Sequence, residues 1–96
     1  MKTITQLLDE VKKARGIETD YALAKSLGIN KARISAYYAG KEAPNEYACL
    51  QIAEALGRDY SEISAAVRIE AEKDENRREA WRRYYKSIGG IAASFA

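Results

Sequence analysis

Apolar residues recur along the chain at offsets of three and four, the spacing that puts them on one face of an α-helix. Ile4, Leu7, Leu8 and Val11 form the first such stripe and predict a helix over about Thr3 to Arg15, ended by Gly16. Leu23, Ala24 and Leu27 form a second, shorter stripe behind Thr19, whose hydroxyl suits a helix start, and Gly28 closes it. Ile29 plugs the turn, and Asn30 starts a third helix over about Lys31 to Ala39, with Ile34 and Tyr37 inward and Gly40 at its far end. After Asn45 a fourth helix runs to Leu56, in which Cys49, Ile52, Ala53 and Leu56 repeat the first stripe's offsets before Gly57 stops it. Period-two runs of β-branched residues are absent and Pro44 is the single proline, so the chain reads as all-α.

Past Gly57 the composition changes. Tyr60, Ile63, Val67 and Glu70 share one face of a fifth helix, about Tyr60 to Lys73. Asp74 either caps a sixth helix, about Glu75 to Ser87, or sits inside one long helix. In this last segment Trp81, Tyr84, Tyr85 and Ile88 make an aromatic stripe, opposed by Arg77, Arg78, Arg82, Arg83 and Lys86. The tail, residues 89–96, is rich in small residues and is expected to fray unless a partner fixes Ile91 or Phe95. The expected organisation is a compact four- to five-helix domain with its main unit at residues 1–57, followed by a helical extension over 58–96.

Ninety-six residues, 47% of them hydrophobic, suffice for one modest core and leave no room for a second catalytic or ligand-sensing domain. No apolar run is long enough to span a bilayer, and the N-terminus is amphipathic instead of signal-like, so a cytoplasmic protein without membrane contact is expected. Cys49 stands alone and histidine is absent, which excludes an internal disulfide and a zinc cluster and makes Cys49 a small core residue. Enzyme chemistry is not expected either. Ser35 and Cys49 have no evident base partner, and no glycine-rich phosphate loop is present. Glu70, Glu72, Asp74 and Glu75 read as a solvated face instead of a metal site, and no cofactor is implied.

The formal charge of +2 is too mild to speak for nucleic acid, but its distribution is banded. Residues 1–45 hold eight basic and five acidic side chains, residues 46–75 three and eight, and residues 76–96 five and one. The first positive band contains the segment from Thr19 to Pro44: two short capped helices joined by a glycine turn. The small Ala24 lets two such helices cross closely. This is the arrangement a module needs to press one helix against double-stranded DNA.

Residues 3 to about 57 resemble the lambda-repressor-like (Cro/cI, XRE-type) helix-turn-helix family. The resemblance is carried by Thr19, Leu23 and Ala24, then Gly28 and Ile29, then Ile34, Ser35, Gly40-Lys41 and Pro44, and last Ile52, Ala53, Leu56 and Gly57, all in one register. It implies a compact helical domain that binds operator DNA, usually as a dimer on a near-palindromic site. With the 39 residues of 58–96 added, the whole chain resembles the small one-piece repressors of temperate and filamentous phages. By family position Lys31, Ala32 and Ala36 face the bases, Lys31 toward guanine and the alanines toward thymine methyl groups. Asn30, Arg33, Ser35, Lys41, Asn45 and Thr19 are the candidates for phosphate contact. Two positions depart from the family: Asp20 stands where glutamine often bonds a phosphate and should repel one, and Tyr38 replaces an acidic residue, which implies different packing or a sugar-phosphate contact.

The expected function is a sequence-specific transcriptional repressor of phage or prophage origin that occupies a promoter as a homodimer. Trp81, Tyr84, Tyr85 and Ile88 either form the self-interface or cap the core against helix 5, and both uses can hold together. Other readings are an antitoxin that autoregulates a toxin operon, with the tail wrapping a toxin protein, and a protein-interaction adapter on the same fold. A Ser-Lys self-cleavage domain is absent, so release from DNA would need an antirepressor protein, dilution or degradation.

Overall fold

The computed structural model describes residues 2–89. They form six helices and no strand: α1 (Ile4–Arg15), α2 (Asp20–Leu27), α3 (Lys31–Tyr38), α4 (Glu46–Leu56), α5 (Tyr60–Ala71) and α6 (Glu75–Ser87). The expected tail, with Ile91 and Phe95, lies outside the described residues.

Local chemistry sets the helix ends. At the start of α1 the Thr3 hydroxyl accepts from the Gln6 N–H while the Gln6 side chain accepts from the Thr3 N–H, a reciprocal cap. After α1, α2, α3 and α4 the chain turns in the same way: the residue following a glycine donates its N–H back to the last helical turn, as Ile29 does to the Ala24 carbonyl at 2.9 Å. Asp74 caps α6 by accepting from the Arg77 N–H at 2.9 Å, and the Arg78 guanidinium holds the Glu72 carbonyl at 2.6 and 3.1 Å. These bonds break the chain between α5 and α6, so the described residues form six helices where four to five were expected.

The main core gathers Leu8, Val11, Leu23, Leu27, Ile34, Tyr37, Cys49 and Ile52 from α1 to α4, and α5 adds Ile63 and Val67. The first four helices therefore do not close this core alone. On its other side α5 packs Ala65, Ala66 and Ile69 against Tyr85 of α6, with Trp81 half-buried beside them. Two adjacent alanines give α6 room to approach closely. Buried on both sides, α5 is the middle layer between α1 and α4 on one hand and α6 on the other.

Polar ties fix α5 to the rest. Glu70 accepts from the Ile4 N–H at 2.6 Å, so it caps α1 from a distance, and Arg68 donates to the Pro44 carbonyl at 3.3 Å in the loop after α3. Glu70, Asp74 and Glu75 of the expected solvated acidic face are exposed, and each also has a partner: Glu70 holds the start of α1, Asp74 caps α6, and Glu75 pairs with Arg78 and Arg82. Cys49 is fully buried, its thiol beside the same Pro44 carbonyl at 3.8 Å, and burial pushes that thiol up to about 11. No helix among the described residues is long and apolar enough to cross a membrane.

Because Ile63 belongs to the main core, Ile63→Ala should lower unfolding free energy by about 2–5 kcal/mol, comparable with Ile52→Ala. A chain ending at Gly57 should lose its cooperative transition in urea, monitored by circular dichroism. A truncated chain that unfolds as sharply as the full one would show that α5 is dispensable.

Candidate nucleic-acid interface

With Ile34 and Tyr37 turned fully inward, an α-helix of 100° per residue places Ala32, Ser35 and Ala36 on the far side of α3, with Lys31 and Arg33 flanking them. Lys31, Ala32, Arg33 and Ser35 are exposed and Ala36 is half-buried. The residues expected to face bases therefore lie on one outward surface of a single short helix.

The expected phosphate contacts surround it. Thr19, Asn30 and Asn45 are the N-caps of α2, α3 and α4, and each uses a side-chain oxygen to accept a first-turn N–H, at 3.1, 2.7 and 2.9 Å respectively. Capping leaves the Thr19 hydroxyl proton and the side-chain NH2 groups of Asn30 and Asn45 available to donate to an anion. Lys41 is exposed just past α3, its backbone N–H bonded to the Ala36 carbonyl at 2.9 Å. Arg33 is not solitary: Glu42 receives its guanidinium at 3.2 Å, and both side chains are about half exposed. Glu42 thus withdraws part of the positive field from this surface.

A cavity of about 180 Å³ opens between the starts of α3 and α4, lined by Asn30, Arg33, Tyr37, Asn45, Tyr47 and the Gly28 turn. Among the described residues no group sits at hydrogen-bonding geometry to the buried Tyr37 hydroxyl; burial raises its pKa, and the neighbouring Arg33 opposes that rise. Gly28 is favoured here by its φ of +67°, which is left-handed; a Cβ would also stand 2.9 Å from the hydroxyl at the tip of the exposed Tyr47 side chain, which would have to swing aside.

The two departures from the family pattern meet in one cluster. Lys12 of α1 donates to Asp20 of α2 at 2.7 Å and lies 4.9 Å from the centroid of the Tyr38 ring, while the Tyr38 hydroxyl donates to Asp9 at 2.7 Å. Asp20 is thereby neutralised by Lys12 instead of standing as a lone charge, and Tyr38 ties the end of α3 to α1. Burial and then the Asp9 hydrogen bond push the Tyr38 hydroxyl up to about 12, and the bond to Asp20 raises Lys12. Sequence reading did not find Asp9, Lys12, Glu42 or Tyr47 as parts of this region.

The aromatic stripe of α6 divides. Tyr85 is buried against α5, Trp81 and Ile88 are half-buried, and Tyr84 is 42% exposed, meeting Trp81 edge to face at 6.2 Å. The intramolecular use applies to Tyr85, which has no surface left for a partner.

Groups whose folded pKa is raised stabilise the fold below their unfolded pKa and lose that contribution as pH climbs through the folded value. For Tyr38 the window runs from its ordinary value of 10 to about 12. Urea titrations should show falling stability across that range, and Tyr38→Phe should flatten the fall while costing about 0.5–1.5 kcal/mol at pH 7 through the lost hydrogen bond. An unchanged alkaline profile in the variant would remove Tyr38 from this role. Comparison of the chain with protein-family models, with curated proteins and with solved structures finds no match.

Proposed function

We propose that the protein is a sequence-specific double-stranded-DNA-binding repressor of the lambda-repressor-like helix-turn-helix type, acting as a homodimer on a near-palindromic operator, of phage or prophage origin. The observation that carries this reading is the outward face of α3, with Ala32, Ser35 and Ala36 at its centre and Lys31, Arg33 and Lys41 around it, bordered by the N-caps of α2, α3 and α4. Two short helices separated by three residues, Gly28 to Asn30, hold that face away from the core. Such a surface fits the major groove, where phosphates supply affinity and base edges supply choice.

The readout is lean. Lys31 donates to guanine, and Ala32 and Ala36 meet thymine methyl groups, each good contact contributing about 1–3 kcal/mol of discrimination. DNA shape and half-site spacing supply the remainder. One such helix reads only a few base pairs, so two copies must stand about one helical turn apart. Trp81, Tyr84 and Ile88 remain for the surface that joins them, since Tyr85 is taken by α5.

The salt dependence of binding tests the phosphate assignments. Lys41→Ala should weaken binding to every duplex and flatten the slope of log affinity against log salt by about one unit. Glu42→Gln should act oppositely, freeing Arg33 to neutralise a phosphate, tightening binding and steepening the slope by up to about one unit. Footprinting across the promoter of the protein's own gene locates the operator. Slopes unmoved by both substitutions, with no protected region, would overturn the reading.

A further inference from the structure

Five large apolar side chains stand well exposed among the described residues, and four of them belong to two separate surfaces. Tyr47, Leu50 and Tyr60, at 52%, 44% and 37% exposure, line one shallow pocket on α4 and the start of α5 together with Glu46. Glu46, Leu50 and Glu54 follow one another at intervals of four on α4, so the acids flank the apolar centre, and the exposed Asp59 precedes Tyr60. Asp59 heads α5 without using its carboxylate as a cap. The second surface is the free edge of α6, where Arg77, expected opposite the aromatics, instead falls with Trp81, Tyr84 and Ile88 at offsets 0, 4, 7 and 11, while Arg83 stays on the opposite side. Tyr21, the fifth exposed residue, lies apart on α2 under Lys25.

The charges on these two surfaces are opposite and uncommitted. No ion pair to Glu46, Glu54 or Asp59, nor to Arg77, is found among the described residues. Within one chain α5 lies between α4 and α6, packing with both. We propose that a second copy of this chain joins the two surfaces: the acid-flanked patch of α4 and α5 receives the basic aromatic edge of the other copy's α6, and the reverse contact forms by symmetry. This rests on the homodimer reading above and names the surface that α6 meets.

Charge selects this pairing over the two self-pairings. Two α4 patches face to face would oppose glutamates, and two α6 edges would bring no acidic side chain of the edge to Arg77, whereas the unlike contact pairs each sign with its opposite. A two-fold axis then repeats the unlike contact twice, which doubles the area that either patch buries alone and leaves no unsatisfied surface to propagate. Aromatic anchors beside complementary charge are the composition expected at the centre of such an interface.

The test uses two full-length variants, Leu50→Arg and Tyr84→Glu, each at an exposed position, with melting curves to verify folding. Sedimentation velocity should show wild type as a dimer and each variant with a dissociation constant raised about thirtyfold or more, as removal of an interface anchor does. Mixing the two variants should restore dimers, because the mixed pair regains one intact contact between Tyr84 of the first and Leu50 of the second. A Leu50→Arg protein that still dimerises, or a mixture that stays monomeric, overturns the unlike pairing while leaving a dimer in place. Wild type that is itself monomeric would instead reject the homodimer reading. Should either variant fail to fold, Glu54→Lys and Arg77→Glu provide the same readings, with each weakening the dimer and the mixture regaining it.

Discussion

Burial of Ile34 and Tyr37 is the constraint on which the remainder of the structure depends. At eight residues α3 is too short to persist as an isolated helix in water, so its existence and its rotation about its own axis both come from these two inward side chains. Their burial sends Ala32, Ser35 and Ala36 outward. The same requirement explains the density of ties around so short an element. Asn30 caps its start, the Lys41 N–H closes its end, Tyr38 bonds to α1, and Arg68 reaches from α5 to the loop beyond it.

α5 supplies a second level of the same support. Its Ile63 and Val67 complete the core that also buries Ile34 and Tyr37 of α3, and its opposite side seats Tyr85 of α6. The helix is consequently a structural bridge between the surface proposed to read DNA and the surfaces proposed to join two copies. Glu70 and Arg68 lie on this bridge and reach in two directions, to the start of α1 and to Pro44. Relative placement of the two α3 helices in a dimer would then be set by a packed layer instead of a loose linker.

Features that depend on near neighbours were legible in the sequence. The starts at Thr19, Asn30 and Asn45 and the turns at Gly16, Gly28 and Gly57 follow from residues three or four positions apart, whereas the sequence left Asp74 open between a cap and a helix interior, and the structure makes it a cap. Features that join distant helices were not. The Lys12–Asp20 bond connects two different helices, and the Arg33–Glu42 pair spans the loop after α3; neither has a local spacing that marks it. Likewise the apolar stripe of α5 announced an inward face, but Ala65 and Ala66 gave no sign of a second one. The α6 aromatics formed a stripe whose covering the sequence left open, because periodicity gives the face and not what lies against it.

In the proposed complex the outward side of α3 reads base edges in a duplex. Selection from a pool of randomised double-stranded DNA by the full-length protein tests it most directly, because the protein itself chooses the operator. The expected result is enrichment of an inverted repeat whose half-site centres lie roughly 34–36 Å apart, with Lys31→Ala relaxing preference at one position of each half-site. A pool that stays random after repeated rounds, or a motif that Lys31→Ala leaves untouched, would contradict it.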